Sequence, residues 1–257
     1  MNIKNISFSP LIKSIVATVL FLVLGEMMTC FSFTTPIYEI TLLIVYLLFA
    51  YFFTKKVDGQ PLKVLELSIT KKSFRGFVFS LLLTVFIIFS GSVISKILFH
   101  DETFKLRGTV NFIGIVVTLI LFFIESFIKQ GFPEELIFRG YIVQTLRTKY
   151  STIVTMFISV GLFTLMHAVH IFIDNFWYGL LVMFYAFSFA CLAYLLKYLF
   201  GTTWAAVAVH GGVHMTRMTI MLLGFSETNS AILIHSILLC ITSLILFFKF
   251  KDKYLEG

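Results

Sequence analysis

Long apolar runs separated by short polar stretches dominate the chain. A helix needs about 20 apolar residues to cross a bilayer, and eight runs approach that length. The runs are continuously apolar rather than alternating, which favours helices over a transmembrane barrel. The sequence therefore predicts an all-α fold, a polytopic membrane helical bundle in which residues 1–257 form a single membrane-embedded domain. The predicted transmembrane helices are Leu11–Phe33, Ile37–Phe53, Phe74–Phe99, Thr109–Ile128, Thr152–Phe172, Phe176–Leu199, Thr203–Leu223 and Ala231–Phe248.

Charge adds an orientation to this bundle. The chain is 59% hydrophobic and only 13% charged, with a net charge of +7. Most cations lie between the apolar runs and fall on alternate loops, which is the positive-inside pattern of a membrane protein and gives no sign of nucleic-acid binding. We expect both termini in the cytoplasm, an even number of spans, membrane lipid as surroundings and a location in the cell membrane. The cations that set this orientation are Lys4, Lys13, Lys55, Lys56, Lys63, Lys71, Lys72, Arg75, Arg147, Lys149, Lys197, Lys249, Lys251 and Lys253.

A polar stretch, Gly131–Gly140, interrupts this pattern after the fourth run. Proline suits the first turn of a helix, so we expect a helix to restart at Pro133 and to continue to about Arg147. This start would place Glu134 and Glu135 in the first turn, near the positive end of the helix dipole. Ionisable residues in such apolar surroundings are candidates for function.

Two adjacent glutamates and an arginine form the first candidate group. Glu135 and Arg139 are four residues apart, so they share a helix face and can form a two-pronged ion pair. Glu134 points about 100° away and would remain free for chemistry. The alternative is an interfacial helix with a solvated charged face.

Histidines in two later apolar runs form the second candidate group. His167 follows Phe163 by four residues, and His210 and His214 have the same spacing on either side of two glycines. Imidazoles so placed can chelate a metal or can both donate to one oxygen. The alternatives for His167 are a hydrogen bond within the bundle or a position near the membrane surface. The zinc-protease motif H-E-x-x-H and the serine motif G-x-S-x-G do not occur.

These motifs together resemble the CPBP family of intramembrane endopeptidases, also called Abi, which includes the CAAX-processing type II enzymes. The family pattern is E-E-x-x-x-R, then F-x-x-x-H, then H-x-x-x-N or H-x-x-x-D. It corresponds here to Glu134, Glu135 and Arg139, then Phe163 and His167, then His210 and His214. The resemblance covers about Thr109–Leu223, and the flanking Phe138, Gly140 and Trp204 also match. At the last position this chain has His214 where the family has Asn or Asp.

The resemblance implies a protease that hydrolyses a peptide bond in a peptide or protein substrate. Glu134 would activate a water that His167 helps to hold, and His210 and His214 would bind the oxyanion. A glutamic-type enzyme needs no metal. The extra histidine also allows a metalloprotease, with a divalent metal such as zinc held by Glu134, His167, His210 and His214.

Two other functions stay open on the sequence alone. Relatives of this family are associated with bacteriocin immunity, where a membrane protein of this kind would bind a peptide without cleaving it. A proton or metal-ion transporter would use the same buried Glu and His residues as a relay. The complete motif set favours the enzyme, and the substrate would be either a CAAX protein or a small peptide.

Overall fold

Helices make up nearly the whole of the computed structural model, which describes residues 8–29, 35–100 and 112–255. Of the structure, 88% is helical and no strand occurs in the described ranges, which confirms the predicted all-α membrane bundle. The long helices, in chain order, are α1 (Pro10–Thr29), α2 (Thr35–Phe52), α3 (Lys71–Phe99), α4 (Phe112–Arg147), α5 (Thr152–Ile173), α6 (Phe176–Phe200), α7 (Thr203–Leu222) and α8 (Asn229–Lys249). A short helix, α9 (Lys251–Leu255), follows α8.

Seven helices in the described ranges are long and apolar enough to cross a membrane, against the eight predicted. The predicted span that is not among these seven is Thr203–Leu223, which corresponds to α7. This segment is helical but lacks the apolar composition of the other long helices. Its middle is enclosed by protein, with Ala205, Val209 and Val213 at 0% exposure and His210 at 1%. A helix shielded from lipid by its neighbours can carry polar side chains that a lipid-facing helix cannot. The even span count and the cytoplasmic termini stay predictions.

Helix α4 runs through Pro133 without a break, so the predicted restart at this residue is wrong. Gly131, just before it, has helical dihedral angles of φ −58° and ψ −49°. Two π-helical stretches, Ile124–Gly131 and Leu136–Ile142, widen the helix on either side of the proline. The wider hydrogen-bond register removes the need for a standard bond at the proline nitrogen. Glu134 and Glu135 are thus in mid-helix, where the helix dipole does not stabilise their charge.

Glycines let α4 and α7 approach each other closely at the level of Glu134. A Cβ atom built on Gly131 would lie 2.9 Å from the backbone nitrogen of Gly211, and one on Gly211 would lie 2.3 Å from the Phe127 ring. Gly212 faces α3, where a Cβ atom added to it would lie 3.0 Å from Leu81 Cδ1. The two glycines after His210 therefore serve helix packing and bring His210 next to the glutamates of α4.

Lys197, one of the cations that set the predicted orientation, is buried in the fold. It is 2% exposed and donates to Glu66 at 2.5 Å. Lys4, another of these cations, lies outside the described residues. Cys191 is also buried.

Candidate active site

A buried ion pair joins Glu135 to Arg139, as their spacing predicted. Both side chains are 0% exposed, and Arg139 Nη1 donates to Glu135 Oε1 at 2.9 Å. The pair is not two-pronged, because Arg139 Nη2 donates instead to the carbonyl oxygen of Ala190 at 3.1 Å. His210 Nδ1 lies 2.9 Å from the same Glu135 oxygen. Glu135 thus binds an arginine of its own helix and a histidine of α7, which makes it a structural anchor.

Glu134 has the opposite environment. Its side chain is 18% exposed, and its Oε2 has no hydrogen-bond partner among the described residues. The nearest cationic candidate is His210, whose Nε2 lies 4.0 Å from that oxygen. One of the two adjacent glutamates is therefore neutralised by partners and the other is free, which is the division of labour that the sequence predicted.

Hydrogen bonds determine which nitrogen of each histidine remains for chemistry. His167 Nδ1 lies 3.0 Å from the carbonyl oxygen of Phe163, which can only accept, so Nδ1 carries the hydrogen. The neutral ring of His167 then has a lone pair on Nε2. His210 Nδ1 likewise donates to the carboxylate of Glu135, and its Nε2 faces Glu134. His214 lies beside His210, with 5.1 Å between the ring centroids.

A cavity of about 260 Å³ brings the free groups together. Glu134, His167, His210 and His214 all line it, although they come from α4, α5 and α7. His170 also lines it, and its Nδ1 lies 2.8 Å from Asp174 Oδ2 at an exposed position. The remaining lining residues, which the sequence motifs did not indicate, are Gln130, Tyr178, Val182, Tyr185, Ala186, Phe189, Arg217 and Ile232.

A second cavity, of about 230 Å³, reaches the same glutamate from the side of α1 and α2. Four residues, Gln130, Glu134, His167 and His170, line both cavities, so the site borders two separate spaces. A larger cavity of about 500 Å³ lies around Lys13 and Asp58 and is lined by none of the predicted catalytic residues. A choice of candidate site by cavity volume alone would therefore have missed the predicted catalytic residues.

Phe163 holds the charged groups in position. Its ring is 0% exposed and lies 4.6 Å from the Arg139 guanidinium carbon, 5.0 Å from the His167 ring and 5.7 Å from the His210 ring. Phe189 of α6 adds a ring 4.9 Å from His210. An aromatic residue at position 163 therefore contacts the buried arginine and two of the histidines at once. This explains why the F-x-x-x-H motif includes the phenylalanine.

The predicted metal ligands do not fit a metal in the arrangement observed. In the part of the chain that the structure describes, no group of three or more His, Cys, Asp or Glu side chains is placed to hold a metal ion. His210 uses one ring nitrogen for Glu135, and its other nitrogen lies 4.0 Å from Glu134 Oε2. The metal site remains a prediction, and no step of the proposed chemistry depends on it.

Comparison with known families agrees with the motifs. Residues 115–216 match the family described as type II CAAX prenyl endopeptidase Rce1-like. Over this segment the chain is similar to that family. The expected CPBP resemblance is thereby confirmed, and the match includes Glu134, Glu135, Arg139, His167, His210 and His214. No curated protein matches the chain.

Proposed function

We propose that this chain is an intramembrane endopeptidase that uses Glu134 as a general base. The observation that carries the proposal is the carboxylate of Glu134, whose Oε2 has no hydrogen-bond partner among the described residues. It lines a cavity with His167, His210 and His214, and the adjacent Glu135 is engaged by Arg139 and His210. The family match supports a membrane endopeptidase of the CAAX type. The substrate is a peptide or protein segment that enters the cavity from the membrane region.

Hydrolysis starts with a water bound between Glu134 and His167. The carboxylate accepts one hydrogen of this water, and the free Nε2 lone pair of His167 accepts the other, which orients the oxygen lone pair. The water oxygen bonds to the carbonyl carbon of the substrate as its proton passes to Glu134. Glu134 then returns that proton to the amide nitrogen, and the C–N bond breaks to give one carboxylic acid and one amine.

The oxyanion of the intermediate needs donors on the other side of the carbonyl group. His210 and His214, from adjacent turns of α7, line this side of the cavity. Because His210 Nδ1 donates to Glu135, its Nε2 donates only when the ring is protonated. Removing one such donor costs about 2.7–4 kcal/mol in comparable sites.

The Glu135–Arg139 pair supports this chemistry without taking part in it. Glu135 of this pair fixes His210 through Nδ1, and Arg139 ties α4 to α6 through the carbonyl oxygen of Ala190. A proton relay or a peptide-binding protein does not require this arrangement. The structure therefore favours the enzyme among the three functions considered.

Cleavage by the full-length protein in liposomes tests the proposal. Wild-type protein should convert members of a peptide library to two products each, which mass spectrometry identifies. Glu134→Gln should lower the rate by about 10²- to 10⁴-fold. The matched control is Glu125→Gln on the same helix, since Glu125 pairs with Lys129 at 2.7 Å and lines neither cavity. Equal cleavage by Glu134→Gln and Glu125→Gln would exclude Glu134 as the base.

A further inference from the structure

The cavity around Lys13 and Asp58 lies apart from the proposed catalytic residues and has no role in the proposed chemistry. Its volume of about 500 Å³ is within the range of about 300–1,000 Å³ that ligand pockets have. Residues from the start of α1, from the segment that follows α2 and from the end of α4 line it. The cation pattern predicts that this end of the bundle faces the cytoplasm.

The charged side chains of this cavity leave one positive charge in excess. The lining residues include two cations, Lys13 and Arg147, and one anion, Asp58, which gives a net charge of +1. Lys13 Nζ donates to Asp58 Oδ1 at 2.6 Å, and Thr145 Oγ1 donates to Asp58 Oδ2 at 2.7 Å. Both oxygens of the carboxylate are therefore occupied. The Arg147 guanidinium lies 5.3 Å from the Tyr198 ring and forms no ion pair with any residue that the structure describes.

Three polar groups of the cavity wall are buried and have no hydrogen-bond partner in the described ranges. They are Thr54 Oγ1, the Tyr141 hydroxyl and Gln144 Nε2. Thr54 is 1% exposed and Tyr141 is 2% exposed, and the Tyr141 hydroxyl lies near Asp58 without hydrogen-bond geometry to it. A buried polar group without a partner costs free energy, so folded proteins usually provide one. Each of these three groups can donate a hydrogen.

Unused donors together with an excess positive charge favour an anionic ligand. We propose that this cavity binds a phosphate group, with Arg147 providing the charge and with Tyr141 and Gln144 donating hydrogen bonds to the phosphate oxygens. Arginine matches phosphate with paired hydrogen bonds, and a phosphate accepts several donors at once. The inference is independent of the proposed protease, because none of the proposed catalytic residues lines this cavity.

The phosphate has two possible sources at this position. Basic pockets between transmembrane helices on the cytoplasmic side bind the headgroups of anionic lipids. A soluble phosphate compound would present the same group from the cytoplasm. In either case the ligand contacts Tyr141 and Arg147 of α4 together with Thr54, which follows α2. A ligand that binds only the folded protein stabilises it, so occupancy can be measured by unfolding.

Thermal unfolding of the full-length protein in detergent tests the site with both sources. Phosphatidic acid is compared with diacylglycerol of the same acyl chains, because the two lipids differ only in the phosphate. Inorganic phosphate is compared with sodium chloride at equal ionic strength. A ligand at 100 times its Kd should raise Tm by about 5–10 °C in a chain of this size. A rise with phosphatidic acid alone identifies a lipid headgroup, and an equal rise with inorganic phosphate identifies a soluble ligand. No rise above either control would show that the site is wrong.

Substitutions distinguish this site from general attraction to a basic surface. Tyr141→Phe should keep the Tm of the ligand-free protein, because its hydroxyl has no partner to lose among the described residues, and should raise the Kd for the phosphate ligand about 10-fold. Arg147→Gln should raise that Kd about 10- to 100-fold. The matched control is Lys149→Gln, because Lys149 also lies over a tyrosine ring, 5.8 Å from Tyr150, but does not line the cavity. It should keep the wild-type Kd. Equal weakening by Arg147→Gln and Lys149→Gln, or an unchanged Kd in Tyr141→Phe, would overturn the proposed site.

Discussion

Replacing Gly211 by alanine should loosen the contact that brings His210 to the glutamates. The added Cβ would lie 2.3, 2.4 and 2.7 Å from three atoms of the Phe127 ring, whereas ordinary contacts begin at 3.4 Å. The ring and the backbone must therefore separate by about 1.1 Å, the difference between 3.4 and 2.3 Å. Phe127 is 4% exposed and has little room to move. Overpacking of this kind costs about 1–3 kcal/mol, against a helix-propensity gain of about 1 kcal/mol, so the net loss is up to about 2 kcal/mol.

Thermal unfolding of the purified protein in detergent measures this effect. For a chain of this size, 1 kcal/mol corresponds to about 2–4 °C in Tm, so Gly211→Ala should lower Tm by several degrees. The control is Gly161→Ala, because nothing lies within 4 Å of a Cβ atom at that position. It should raise Tm slightly, since alanine favours the helix. Cleavage by Gly211→Ala should also fall, because a displacement of about 1 Å at a catalytic group can cost 10²-fold. A Gly211→Ala protein as stable and active as Gly161→Ala would refute the close approach of the helices.

Three further predictions concern topology, the oxyanion donors and the aromatic contacts. A reporter fused after Gly257 should be active only in its cytoplasmic form, and an external signal would overturn the orientation. His214→Asn should keep much of the activity and His214→Leu should lose it, with no effect of a chelator; chelator-sensitive cleavage together with an inactive Asn variant would establish a metal site instead. Phe163→Ala should cost about 3–5 kcal/mol in thermal unfolding, whereas Phe157→Ala, on the same helix and 63% exposed, should be nearly neutral.

Local spacing allowed part of the site to be predicted from the sequence. Glu135 and Arg139 form their ion pair because residues four apart on a helix are neighbours, whatever surrounds them. The same rule places His210 beside His214. The free state of Glu134 follows from the same geometry, since adjacent residues on a helix point in different directions.

Features that depend on contacts between helices were not visible in the sequence. Phe189, Tyr185 and Arg217 enter the cavity only because α6 and α7 pack against α4, and no motif relates them. The continuity of α4 through Pro133 depends on π-helical turns, which have no simple sequence signal. The span count differs at α7 because this helix carries more polar residues than the other long helices and does not reach their mean hydropathy.

The different roles of the two adjacent glutamates are the central claim, and activity and stability measured in parallel test it most directly. Glu134→Gln should lose cleavage by at least about 10²-fold and keep the wild-type Tm, because Glu134 Oε2 has no partner to lose among the described residues. Glu135→Gln should lower Tm sharply, because it leaves the fully buried Arg139 without its anion, a change that costs about 3–5 kcal/mol. A Glu134→Gln protein that stays active, or a Glu135→Gln protein as stable as wild type, would contradict this division of roles.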